Sequence, residues 1–150
     1  MSVSDDRGDI TQLIYRFYAC MDEGRFDDLR SVFSEKVTAP TPDGSVVEGP
    51  DAVIAQASRA HSPEERSQHL VHNVLVEVDG DKADVRADVI AILSEGDAPE
   101  GRLAPEPGYT VSMRMRYEVV RAPHGWCVSS IKGDLVWLRD TQSQPVPAGG

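Results

Sequence analysis

Apolar side chains recur at helical spacing near the start of the chain, where Ile10, Leu13, Ile14, Phe17, Tyr18 and Met21 fall on one stripe. Ser4 is placed to cap this helix, Asp5 and Asp6 set negative charge beside its first exposed amides, and Gly24 ends it. A second short helix is predicted from about Phe26 to Phe33, burying Phe26, Leu29, Val32 and Phe33 while Asp27, Asp28 and Arg30 stay wet. Between Val37 and Glu48, Asp43-Gly44 separates two short β-like pieces, and Gly49-Pro50 opens a third helix that runs to about Ala60. Ser62-Pro63-Glu64-Glu65 has the form of a capping box for one further turn.

From Gln68 the period changes to two. Gln68–Val78, Lys82–Leu93, Tyr109–Val120 and Trp126–Leu138 read as four long strands, with Asp79-Gly80 and His124-Gly125 as tight connections. Ser94 to Gly108 holds six glycines and prolines and is expected to be a mobile loop. The class is therefore α+β: three helices precede a curved antiparallel sheet that wraps around them. Residues 1–139 form the domain and 140–150 a flexible C-terminal tail.

Composition narrows the classes of function. A chain of 150 residues, 40% hydrophobic, is long enough for one domain with a real core. It has no run of ~18 apolar residues and no basic segment leading into an apolar one at its start, so a cytoplasmic location is expected. Cys20 lies in a helical pattern and Cys127 in a strand pattern, as small core residues of a reducing compartment do. A net charge of -10 repels polyphosphate, which argues against nucleic acid and acidic membranes as partners.

The candidate chemistry centres on His69, a titratable group where an apolar strand calls for a hydrophobe. By strict alternation His69, Val71, Asn73 and Leu75 share one face, and Leu70, His72, Val74 and Val76 the other. His69 and His72 diverge on a strand, and neither cysteine has ligand spacing with them, so no metal site is expected. Because both faces are largely apolar, one is expected to meet the helices and a cavity, and the other a second subunit. On the first helix Thr11, Tyr15, Tyr18 and Asp22 form a ridge at the edge of the apolar stripe. Asp22 sits among exposed carbonyls in the last turn and needs a compensating cation or hydrogen bond, which a histidine would supply. An Asp22-His69 pair would make the other ring nitrogen a better base, with Tyr18 one turn away as a hydrogen-bond donor. A core histidine bonded to backbone and a solvated helix end account for the same two residues. Asn73 could satisfy a bulge, Asp134 a surface position, and Trp137 is better placed than Trp126 to touch a ligand.

The succession of the first helix, Asp22-Glu23-Gly24-Arg25-Phe26-Asp27-Asp28-Leu29, Phe33, Gly49-Pro50, His69 to Asn73, Asp79-Gly80-Asp81 and Gly125-Trp126 resembles the SnoaL-like branch of the nuclear transport factor two superfamily over about residues 5–139. The resemblance implies a cone with an internal pocket and cofactor-independent chemistry on apolar, ring-containing small molecules, as in dehydratases, dehydrochlorinases, ketosteroid isomerase and polyketide cyclases. Dehydratase and dehydrochlorinase members pair an aspartate near the end of the first helix with a histidine opening a strand, and Asp22 and His69 match those positions. Phe17 stands where ketosteroid isomerase has its oxyanion-binding tyrosine, and Thr41 lies near that enzyme's general base, so the isomerase mechanism is not implied. The second histidine of scytalone dehydratase has no counterpart in the later strands. The expectation is a lyase or isomerase in which His69 is the base, Asp22 orients it, Tyr18 or Asn73 assists, and Tyr15, Phe17, Asn73, Met113 and Trp137 line the substrate site. No cofactor or metal is expected, and the protein should be a homodimer through the outer sheet face. The alternatives are a non-catalytic ligand-binding or dimerisation domain, and an accessory protein resembling the β subunit of ring-hydroxylating dioxygenases.

Overall fold

Helix α1 spans Val3–Asp22 in the computed structural model, which describes residues 2–61, 65–94 and 101–141. It is capped by Ser2, not Ser4. The Ser2 hydroxyl accepts from the Asp5 amide at 3.3 Å, and the Asp5 carboxylate accepts from the Ser2 amide at 3.1 Å. A cap at Ser4 would place Arg7 at the reciprocating position, and a guanidinium cannot accept. A 3-10 helix, Phe26–Ser31, follows. It ends before Phe33, which leaves the predicted helix to start β1, because Phe33 pairs with Val128 across the sheet.

Strands β1 (Phe33–Pro40) and β2 (Val46–Glu48) form the short hairpin, and α2 (Pro50–Arg59) begins at the proline after Gly49. The long strands are β3 (Arg66–Asp79), β4 (Lys82–Ser94), β5 (Tyr109–Ala122) and β6 (Gly125–Asp140). The order across the sheet is β2-β1-β6-β5-β4-β3. Every pairing is antiparallel except β1 with β6, so the sheet is mixed. The expected capping turn falls largely on residues 62–64 and part of the expected loop on 95–100, all outside the described residues. Of the expected tail, Asp140 pairs with Tyr109 and the Thr141 amide bonds the Gly108 carbonyl at 2.8 Å, while 142–150 lie outside the described residues.

The core forms where Ile10, Leu13, Ile14, Phe17 and Tyr18 of α1 meet one face of the sheet. On β4 that face carries Ala83, Val85, Ala87, Val89 and Ala91, whose small side chains let the helix approach closely. Among the described residues, no helix is long and apolar enough to cross a membrane.

Strand β3 does not keep strict alternation. Its register shifts between His72 and Leu75, and Asn73 sits at φ 52°, in the left-handed region. His69 and Val71 face the core opposite Ala91 and Val89, but beyond the bulge Val74, Val76 and Val78 take that side. One extra residue inverts the phase of the strand. A β-branched residue resists the left-handed conformation, which costs ~1–2 kcal/mol even for ordinary side chains. Thermal unfolding should therefore show Asn73→Val destabilised by at least about that amount and Asn73→Gly close to wild type; equal melting temperatures for Asn73→Val and wild type would count against a bulge fixed by this residue.

A second polar tie holds the start of α1 to the far end of the sheet. Asp6, buried, accepts from Arg121 Nη2 at 3.0 Å and from Trp126 Nε1 at 3.1 Å, and the guanidinium lies 4.3 Å over the Trp126 ring. The Arg121 bond, then the Trp126 bond, hold the Asp6 carboxyl below its ordinary range against the opposing effect of burial. Asp6 thus ionises more readily folded than unfolded, so its stabilising contribution is complete above the unfolded pKa of ~4 and is lost as pH falls through the lower folded value. Asp6→Asn should melt below wild type at neutral pH, with the gap closing under acid conditions; a gap that persists unchanged at low pH would show that the carboxylate charge is not what stabilises.

Candidate active site

Asp22, the last residue of α1, reaches the opening of β3 and receives three donors there. The His69 ring donates from Nδ1 to Oδ1 at 2.6 Å, the His69 amide to Oδ2 at 2.8 Å, and the Ser67 hydroxyl to Oδ1 at 2.9 Å. This set offsets the unfavourable position of a carboxylate at a helix C-terminus. Burial alone would raise the Asp22 pKa, but the ring bond, the amide bond, the charge interaction with His69 and the Ser67 bond together leave it below the ordinary range. Asp22 is therefore ionised at neutral pH. An ionised carboxylate accepts only, so Nδ1 of His69 carries a hydrogen and the neutral ring keeps its lone pair on Nε2. No described residue bonds Nε2. The site is nearly closed: 6% of the His69 side chain and 19% of Asp22 reach solvent.

Tyr18 is one turn before Asp22, and its ring lies 4.9 Å from the imidazole. Its hydroxyl is hydrogen-bonded to the hydroxyl of Tyr117 on β5. Burial raises the pKa of Tyr18, further helped by the Asp22 charge and partly offset by the Tyr117 bond; burial and then Tyr18 raise that of Tyr117. Both stay neutral. One hydrogen serves the bond between them and a second is left to donate elsewhere, which suits stabilisation of negative charge on a substrate oxygen.

Cross-strand register defines the floor beside His69. The row through His69 continues as Ala91, Val111 and Leu138, and the next as Val71, Val89, Met113 and Leu135. Leu135 and Leu138 share the helix-facing side with Met113 and Val111, yet remain 63% and 49% exposed. The helices leave this apolar end of the inner face uncovered.

The structure brings together His69, Asp22, Tyr18 and Phe17, whose ring lies 4.7 Å from Tyr18, and it places Met113 on the same side of the sheet. Three expected residues stand elsewhere. Asn73, turned by the bulge, donates to Asp88 at 3.1 Å beside Arg86 and Arg114 on the outer face. Trp137 pairs with Ser112, whose own partner is Ile90, in the outer row that ends at Leu70. Tyr15 is exposed on α1. Three residues were missed. Ser67 and Tyr117 share strand parity with His69 and with Met113 and Met115, which would have found them. His61 follows the C-cap of α2, its Nδ1 bonding the Ala57 carbonyl at 2.8 Å and its ring 6.2 Å from that of His69; no periodic signal marks it. Among the described residues, no group of three or more potential ligands could hold a metal.

Comparison with known proteins bears on the fold. The structure superposes on the Kfla4162 protein of Kribbella flavida with a TM-score of 0.81 at 21% identity, covering 94% of this chain and 97% of that one. A protein provisionally named a scytalone dehydratase from Novosphingobium aromaticivorans gives 0.75 at 15%, covering 95% and 93%. A type 2 hexachlorocyclohexane dehydrochlorinase, LinA, gives 0.73 at 18%, covering 95% and 94%. At these identities the likeness is one of fold. No curated protein matches the sequence. Residues 2–132 match the SnoaL-like domain, and the chain belongs to that family.

Proposed function

We propose that the protein is a cofactor-independent lyase of the dehydratase or dehydrohalogenase type, acting on an apolar cyclic small molecule. The observation that carries this reading is the 2.6 Å bond from His69 Nδ1 to an ionised Asp22, which leaves Nε2 as a base beside two neutral tyrosine hydroxyls. In the elimination, Nε2 takes a proton from the carbon next to a carbonyl. The C–H electron pair becomes the new double bond, and the bond to the leaving group on the following carbon breaks with its own pair. Asp22 stabilises the imidazolium that forms, and the spare tyrosine hydrogen meets charge on the carbonyl oxygen. The uncovered apolar floor of Met113, Leu135 and Leu138 suits a hydrocarbon ring. The dehydratase and dehydrochlorinase names among the structural neighbours support the same class.

A second reading, a ligand-binding or scaffolding domain with a structural dyad, is favoured by the 6% exposure of His69. Grooves of about 400, 290 and 360 Å³ also lie away from the dyad, on the outer sheet face and along α1 near Trp126. The two readings differ in kinetics. Across a panel of β-hydroxy and β-halo cyclic ketones followed by enone absorbance, His69→Ala and Asp22→Asn should each lower turnover by ~10²-fold or more in folded protein. Undiminished turnover in either variant would remove the dyad from the mechanism.

We further propose that the outer sheet face binds a second copy of the chain. The row Arg86, Arg116, Lys132 lies directly beside the row Glu77, Asp84, Glu118, with Leu75 ending the basic row. Two such faces related by a two-fold axis set basic rows against acidic ones. The double variant Arg116→Glu/Lys132→Glu should run as a monomer in sedimentation, and mixing it with Asp84→Lys/Glu118→Lys should restore a mixed dimer. Monomeric wild type, or a double variant that still dimerises, would sink the proposal.

A further inference from the structure

His61 and His69 are two imidazoles at one site, each held by a different acceptor. Nδ1 of His69 donates to the Asp22 carboxylate, and Nδ1 of His61 donates to the neutral Ala57 carbonyl at 2.8 Å. A carbonyl accepts and never donates, so Nδ1 of His61 keeps its hydrogen and Nε2 is the nitrogen that gains or loses a proton. Their ring centroids are 6.2 Å apart, and the Phe26 ring packs against His61 at 5.8 Å. Two groups that each approach neighbouring substrate atoms to about 3 Å stand roughly 5–7 Å from one another, and the 6.2 Å between the ring centroids falls in the range at which both imidazoles can reach one vicinal H–C–C–O unit.

We infer that His61 is the general acid of the site, giving its Nε2 proton to the leaving oxygen while His69 takes the carbon-bound proton. The inference rests on the elimination reading above and decides between its two forms, because hydroxide needs a proton to leave and halide does not. Bonds and charges balance as follows. His69 Nε2 gains the proton from carbon, the freed pair forms the double bond, the C–O bond breaks onto oxygen, and that oxygen takes the Nε2 proton of imidazolium His61 to depart as water. One positive charge has moved from His61 to His69, and exchange with water returns it. The asymmetry of acceptors supports this division: the Asp22 carboxylate is placed to stabilise the imidazolium formed when His69 takes a proton, whereas the Ala57 carbonyl orients the His61 ring and leaves its Nε2 for the substrate. The substrate class is therefore a β-hydroxy carbonyl compound on an apolar ring.

The test compares two leaving groups on one ring that give the same enone. A β-hydroxy cyclohexanone and its β-acetoxy ester are offered to wild type, His61→Asn, His61→Gln and His69→Ala. Asparagine can keep the bond to the Ala57 carbonyl while removing Nε2, and glutamine offers an amide hydrogen near Nε2 without acid strength. Both His61 variants should lower kcat for the hydroxy compound by ~10²-fold while changing kcat for the ester less than ~3-fold, and His69→Ala should depress both substrates alike. Glutamine should restore KM but not kcat, an effect that a packing role for His61 would not produce. If His69→Ala abolishes both reactions while either folded His61 variant affects both equally or neither, the acid assignment is overturned and the dyad stands. If His69→Ala leaves both reactions intact, or wild type eliminates neither group, the elimination reading fails and this inference fails with it.

Discussion

The carboxylate of Asp22 is the fixed point of this molecule. A helix C-terminus repels negative charge, and partial burial adds to the cost, so an unpaired Asp22 would destabilise the end of α1. The opening of β3 removes that cost with one backbone amide, one hydroxyl and one imidazole. Because the backbone amide of His69 takes part, the strand itself is docked, not only a side chain. The same three donors set the height of α1 over the sheet, the tautomer of His69 and the ionisation of Asp22. Deleting any one leaves a partly buried acceptor short of a partner, a loss of ~1–3 kcal/mol or more. The docking of the strand and the protonation pattern of the dyad are therefore one property.

The bulge at Asn73 makes that docking compatible with a core. A strand of strict period two that turns His69 toward the helices would also turn Asn73, Leu75 and Glu77 inward and expel Val74, Val76 and Val78. Inserting one residue in the left-handed conformation resolves the conflict: the first half of β3 serves the dyad and the second half the hydrophobic layer. Asn73 is suited to both demands, since asparagine tolerates positive φ and its amide finds Asp88 on the outer face.

Much of this was legible in the sequence, for reasons that differ from element to element. The stripe of α1, the proline that opens α2 and the alternation of β3 to β6 are local patterns, and they placed the elements within a few residues. Asp22 was legible because a carboxylate in a last helical turn is a conflict that asks for a partner. Alternation puts Asn73 on the face of His69, but the strand count slips at Asn73 itself; Trp137 carries no periodic signal for the inner face, and the slip between Ser112 and Met113 opposite Val136 leaves it in the outer row. Tyr117 needed only that the alternation of Val111, Met113 and Met115 be carried one step further. The parallel pairing of β1 with β6 leaves no local mark, because its partners are about ninety residues apart. His61 is of the same kind, meeting the dyad only through the path of the chain after α2.

The seclusion of the dyad bears on what it can do. In a site with little water, the attraction between Asp22 and an imidazolium at His69 is screened far less than at the surface, so proton transfer to Nε2 gains from a charge already in place. The tyrosine pair answers the complementary need. Tyr18 and Tyr117 hold their protons firmly, because burial disfavours phenolate and Asp22 adds to that for Tyr18. Such hydroxyls can stabilise an oxyanion by hydrogen bonding without giving the proton up, which is what the proposed elimination asks of them. A water-filled pocket would weaken both effects together. Closure that limits access to His69 is thus the same closure that would make its chemistry effective, provided that the substrate is apolar enough to bind along the exposed floor at Leu135 and Leu138.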